Sequence, residues 1–339
     1  MTLTRTRLLG VSLAAVMAAG SLLVAPPAAH AAPVYTELTI DPYQYAGSVG
    51  SCTDDSVLPN PADVGLGESG TPVAAATSSP GAFHATGDPS DTITNTAVVQ
   101  GTATATTAGG QPKSVSLSYT GNVKVATSKP TSGCNVEAVA GLEVYFEFTL
   151  TTPMWATVVA KHKGPGYVEA AIARVTDPDT DWSGVYGSSM EDNGTSTLLL
   201  QPGSYRAYVE GDLRQRANST RTVTGSGTAS ITFAPVGSAS KAPSGKASKY
   251  VALPGTRACA THNATATLTT KKKRIKQIEK VTFSVNGKKA ATLKGKKLKK
   301  GKAVGLGLAD NAAADITATV ALKNGKKRTV DASYLACTS

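Results

Sequence analysis

The sequence predicts an all-β protein built as two successive β-sandwiches, and three observations lead there. Short runs alternate apolar and polar residues with the period of a half-buried strand: in LEVYFEFTL, residues 142–150, Val144, Phe146 and Phe148 fall on one face and Glu143, Tyr145 and Glu147 on the other, and GSYRAYVEG, residues 203–211, repeats the device with Tyr205, Ala207 and Val209. Gly, Pro, Asp and Asn separate these runs, and beyond residue 31 helix caps nowhere coincide with a 3.6-residue period. Composition then shifts abruptly at PVGSASKAPSGKASK, residues 235–249, so two units are expected rather than one.

The elements follow in order. Residues 1–31 carry Arg5 and Arg7, an apolar alanine-rich run and the small-x-small triplet Ala29-His30-Ala31, the pattern of a secretory signal cleaved after Ala31. An uncleaved anchor is the competing reading, but the run is short and Pro26-Pro27 breaks it. Residues 32–234 form the first domain. Its stretch Ser51 to Asp91, rich in Gly, Pro, Ser and Asp, is expected to be long loops tethered by Cys52. Strands are expected at AVVQGTATATT, SVSLSYTGNVKVAT, WATVVAKH, YVEAAIARV, STLLL and TASITFA. Residues 235–249 read as a linker and 250–339 as the second domain. There VTFSV-NG-KKAATL and TATVALK-NG-KKRTVDA each place Asn-Gly between β-prone runs, a strong hairpin signal because a tight type I′ turn needs two positive φ angles.

The four cysteines, Cys52, Cys134, Cys259 and Cys337, suit an oxidising compartment, and their spacing favours Cys52–Cys134 and Cys259–Cys337 among three connectivities. A bridge closing the second loop is worth about 4 kcal/mol in the chain-entropy model. Charge divides as sharply as composition. Residues 32–244 hold 11 Lys and Arg against 19 Asp and Glu, whereas residues 245–339 hold 21 against 4, so the overall +11 conceals an acidic domain joined to a strongly basic one.

Two resemblances accompany these motifs. The words STLLLQPGSYRAYVEG, residues 196–211, with their Pro-Gly-x-Tyr corner, make the run from 142 to 234 resemble the bacterial pre-peptidase C-terminal domain and related jelly-roll sandwiches, although no peptidase precedes it. The early Cys259, the VTFSVNGKK hairpin and the closing Tyr334-x-x-Cys337 make residues 257–337 similar to the short immunoglobulin-like domains of secreted actinobacterial proteins. The first likeness implies a jelly-roll-like sandwich. The second implies a smaller immunoglobulin-like sandwich, lacking the antibody-type tryptophan, with an adhesive, spacer or wall-associated role and no catalytic residues.

The chemistry sought in the sequence is sparse. His84, His162 and His262 are the histidines left after residue 31, and no nucleophile elbow, zinc-binding helix or phosphate loop is present, so an enzyme is not expected. An extracellular hydrolase would need His84 or His162 beside a serine and a carboxylate. Asp177, Asp179 and Asp181 have the alternate spacing of a calcium loop, but Trp182 and Ser188 stand where an EF-hand needs glycine and glutamate, so the segment reads as an exposed acidic turn, with a weak calcium site as the alternative and no other cofactor or metal. Trp182 and Tyr186, with Tyr145 and Tyr208, are the rings a carbohydrate-binding accessory protein would expose. The competing reading has Trp182 covering the end of the sandwich and the tyrosines half-buried.

The lysines Lys288, Lys289, Lys294, Lys296, Lys297, Lys299, Lys300, Lys302, Lys326 and Lys327 form the candidate polyanion surface. Lysine greatly outnumbers arginine there, which favours diffuse attraction to anionic wall polymers or polysaccharides over sequence-specific nucleic-acid reading. The alternative is a solvated, aggregation-resistant face. The expectation is a secreted, non-catalytic binding or structural protein of the bacterial cell surface, extracellular or wall-associated and without a transmembrane span.

Overall fold

The computed structural model describes residues 38–49, 51–175, 188–191 and 193–338. The signal segment and the loop bearing Asp177, Asp179, Asp181, Trp182 and Tyr186 lie outside the described residues. The architecture is all-β, and every described pairing is antiparallel.

Among the described residues the first domain has thirteen strands: β1 (Leu38–Val49), β2 (Cys52–Asp54), β3 (Val64–Gly65), β4 (Val73–Ala85), β5 (Asp88–Ala108), β6 (Gln111–Thr127), β7 (Asn135–Leu150), β8 (Met154–Lys163), β9 (Tyr167–Arg174), β10 (Ser188–Glu191), β11 (Gly194–Leu200), β12 (Gly203–Ala217) and β13 (Arg221–Pro235). They form one sheet in the order β10-β9-β12-β7-β1-β3 and a second in the order β11-β8-β13-β6-β5-β4-β2. From β7 to β9, and again from β11 to β13, successive strands alternate between the sheets. Inward residues of the two sheets, including Val144, Phe146, Phe148, Val158, Val209 and Ile231, make one core. Phe148 stacks on Tyr205 at 5.5 Å between ring centroids. The Tyr205 hydroxyl donates to the Gln201 carbonyl at 2.7 Å, which fixes the Pro202-Gly203 corner before β12. A smaller cluster of Phe83, Ile93, Val125 and Val136 surrounds the Cys52–Cys134 disulfide.

The segment expected to be loops is corrected by the structure: β4 and the start of β5 occupy residues 73–91. Alanine, serine and glycine dominate VAAATSSPGAFHA, so hydropathy hardly alternates, yet burial still does, with Ala75, Ser79, Gly81, Phe83 and Ala85 facing inward. Pro80 is tolerated because β2 covers β4 only from Phe83 to Ala85, leaving an open edge at Pro80 where a missing N–H costs no ladder bond.

The second domain continues with β14 (Ala239–Ser244), β15 (Val251–Ala252), β16 (Asn263–Leu268), a single helical turn α1 (Lys272–Ile275), β17 (Ile278–Val285), β18 (Lys288–Lys294), β19 (Ala303–Gly307), β20 (Ala314–Leu322) and β21 (Lys327–Tyr334). A five-stranded sheet, β14-β21-β20-β17-β18, faces a three-stranded one, β15-β16-β19, across a core that includes Phe283, Ile316, Val320, Leu268 and Tyr334. Cys259 is bonded to Cys337. Both Asn-Gly words close hairpins, but by different turns. Asn286 and Gly287 have φ of 48° and 76°, as a two-residue type I′ turn requires. At Asn324-Gly325 only the glycine is left-handed, at 79°. There Gly325 N–H bonds Leu322 O at 2.9 Å and Leu322 N–H bonds Lys326 O at 2.9 Å, a three-residue loop ending in a bulge.

The expected linker is the second correction. Residues 239–244 are β14, the edge strand paired with β21, and Ala247 and Tyr250 are buried in the second core, so only Val236 to Ser238 join the domains. The polar composition that suggests a linker is the composition of an edge strand, where Lys241 and Pro243 deter pairing with another chain. The junction is tied on several sides. Trp155 Nε1–H on β8 donates to Ala336 O at 2.8 Å, and Ser238 N–H and Oγ–H both donate to Pro235 O. Gly237 has φ +71°, and a Cβ there would stand 2.8 Å from Cys259 Sγ. Gly237→Ala is therefore expected to cost about 1–2 kcal/mol, read as a fall of a few degrees in the calorimetric transition of the full chain. An unchanged transition would mean the turn relaxes freely.

Candidate binding surfaces

The second domain's outer sheet face gathers the lysines. Lys280 on β17 lies directly opposite Lys294 on β18, and Thr282 opposite Thr292. The threonine row extends through Thr319 on β20 to Thr329 on β21, and the lysine row through Ala321 to Lys327. A short turn at Gly295–Lys297 follows β18 and carries Lys296 and Lys297 beside the same face. Together Lys280, Lys289, Lys294, Lys296 and Lys297, with Thr282 and Thr292, line a groove of about 770 Å³. None of the domain's acidic residues, Glu279, Asp310, Asp315 and Asp331, lines it.

Like charges directly across a ladder destabilise a sheet, so Lys280 facing Lys294 is an uncompensated cost within the chain. Among the described residues no lysine of this domain pairs with a carboxylate. Thr292 Oγ1, in the groove wall, is buried without a hydrogen-bond partner. Of the ten lysines singled out in the sequence, all are exposed, and four, Lys289, Lys294, Lys296 and Lys297, meet in the groove. Lys327 shares the row further along, while Lys288, Lys299, Lys300, Lys302 and Lys326 lie outside the groove. Lys280 also belongs to the groove, and lysine density does not mark it because its place depends on the register with β18.

The first domain presents a surface of opposite sign. Pairing of β1, β7, β12 and β9 sets Asp41, Glu143, Glu210 and Glu169 side by side in one row across the outer face of the sheet. Tyrosines flank the row, Tyr145 and Tyr208 on one side and Tyr43 and Tyr167 on the other. Gly141 lets Tyr43 lie across the sheet, since a Cβ there would stand 2.2 Å from its ring. Tyr43 O–H donates to Glu210 Oε1 at 2.6 Å, and Tyr167 O–H donates to the same oxygen.

Burial, and then the neighbouring carboxylates Glu210, Asp41 and Glu169, push the Glu143 carboxyl up to about 7. Asp212, wholly buried in the next row, is pushed up to about 6 by burial, although the Arg214 guanidinium at 3.1 Å and Tyr167 N–H at 3.0 Å oppose the shift. Burial together with the Glu210 charge drives the Tyr43 and Tyr167 hydroxyls far above the ordinary phenol range. Tyr145 and Tyr208 are half-buried. This face can hold protons near neutrality, but its charge repels polyanions.

The histidines are scattered. His84 Nδ1 meets Asp55 Oδ2 at 2.7 Å, His162 sits on β8 near Pro165 O, and His262 pairs with Asp310 in the second domain. Among the described residues none of the three bonds a serine hydroxyl, and no three metal-ligating side chains are grouped to hold an ion. No helix among the described residues is long and apolar enough to cross a membrane. Comparison with known proteins finds no family model and no curated relative that matches the chain.

Proposed function

We propose that this chain is a secreted, non-catalytic binding protein of the bacterial cell surface, held to anionic wall polymers by its lysine-rich domain. The observation that carries the reading is the groove of five lysines with no carboxylate in its wall. Ammonium groups without internal partners attract a polyanion by releasing its counterions. The acidic tyrosine face of the first domain repels the same polymer, so the chain would bind by one end and leave the other free. The two disulfides suit an oxidising, extracytoplasmic setting. The resemblance of the second domain to short immunoglobulin-like domains, which implies an adhesive, spacer or wall-associated module, supports the same role.

The test is co-sedimentation of the full mature chain with isolated bacterial cell walls between about 50 mM and about 500 mM NaCl, where affinity of this kind falls steeply. Pelleting at low salt that vanishes at high salt is expected. A chain that stays in the supernatant at the lowest salt overturns the reading.

A further inference from the structure

We infer that the groove between β17, β18 and the turn at Gly295–Lys297 takes a hydroxyl-bearing polymer joined by phosphodiesters, of the poly(glycerol phosphate) kind; this rests on the polyanion reading above and narrows its ligand. Three features point there. Five ammonium groups in one groove of about 770 Å³ require a ligand bringing several negative charges, and such a volume admits more than one phosphate. The donors are lysines, point charges on flexible stems, and no arginine lines the groove. A guanidinium fork clamps a single carboxylate or phosphate in a fixed bidentate geometry, whereas lysine ammonium groups bind phosphate as point charges whose donors can follow several anions along a flexible chain.

The third feature is the threonine row. Thr292 lines the wall with its Oγ1 buried and unpartnered, and Thr282 stands opposite it, so a rotamer change at Thr292 turns an unsatisfied hydroxyl toward phosphate oxygens or ligand hydroxyls beside the lysines. The rows run across the strands, which are spaced at about 4.8 Å. Lys294 and Lys280 are therefore one strand apart, and Lys327 is two strands beyond Lys280, a spaced line of cations suited to a repeating charge. No aromatic side chain lines the groove, so the base stacking that holds single-stranded nucleic acid is not offered.

The experiment measures binding of the full chain to poly(glycerol phosphate), to polyglutamate of matched charge and to a single-stranded oligonucleotide, all at one ionic strength. Lys280→Gln with Lys294→Gln is compared with Lys299→Gln and Lys300→Gln, which removes equal charge outside the groove, and Thr292→Val tests the hydroxyl without altering charge. Wild type should prefer poly(glycerol phosphate) to polyglutamate by about tenfold, and the groove pair should weaken its binding by about tenfold or more while the outer pair weakens it about twofold. Thr292→Val should narrow the preference between the two polymers. Equal losses from the two lysine pairs would overturn the groove and leave diffuse attraction standing. Tighter binding of the oligonucleotide, or no preference over polyglutamate, would overturn the ligand class. If wild type binds none of the three, the polyanion reading itself fails.

Discussion

Replacing Arg257 by methionine is expected to lower the stability of the second domain by about 3 kcal/mol or more. Arg257 is buried, with 4% of its surface exposed, and its guanidinium is spent on the backbone. Nη1 donates to Ala309 O at 2.9 Å and Ala312 O at 3.2 Å, Nη2 donates to Asp310 O at 2.9 Å, and Nε lies 3.0 Å from Cys337 Sγ. Burial holds its pKa below the ordinary arginine range, with the Asp310 charge opposing that shift. Asp310 O keeps the Cys337 and Thr338 amides if the arginine is lost, but the carbonyls of Ala309 and Ala312 lose their donor.

Arg257→Lys should do no better, since one ammonium cannot reach three carbonyls and would remain buried with fewer partners. The readout is hydrogen exchange in β20 and β21, whose amides report opening of this domain. About a hundredfold faster exchange corresponds to the expected loss. Less than tenfold would show that the disulfide alone holds the loop.

Much of this architecture is legible in the sequence because the signal is local. Val144, Phe146 and Phe148 alternate with charged or hydroxyl-bearing residues, and β7 buries them as that period requires. Asn286-Gly287 encodes its own turn. What is not legible depends on partners distant in sequence or on weak hydropathy contrast. β4 is built of alanine and serine, and β14 carries Lys241 and Pro243 because it is an edge strand. Half of the site follows the same division. Lysine density marks the region of the groove, but Lys280 joins it only through the β17–β18 register. The carboxylate row needs β1, β7, β12 and β9 aligned, and nothing within any one of those strands announces that Asp41, Glu143, Glu210 and Glu169 will share a line.

That row gives the first domain an unusual dependence on pH. Glu143 is raised from an ordinary 4.5 to about 7, so between those values the folded chain keeps a proton that the unfolded chain has released. Stability linked to Glu143 is therefore full below about pH 4.5, falls as pH rises, and is lost above about pH 7. Asp212, raised from 3.8 to about 6, acts in the same direction over a slightly lower window. The loss from Glu143 is about 1–3 kcal/mol, the lower figure allowing for solvent screening at a half-buried head group.

Glu143→Gln keeps the shape of the protonated side chain and removes its repulsion with Glu210, Asp41 and Glu169. At about pH 8 the variant should be more stable than wild type by that amount, and at about pH 4.5 the two should coincide. Trp155 is bonded to Ala336 O of the second domain and its emission would sense both, so hydrogen exchange in β7 and β12 across a urea series reads this domain without the other. Equal stability of the two chains at about pH 8 would mean that the row is relieved by solvent or a bound cation rather than by a proton.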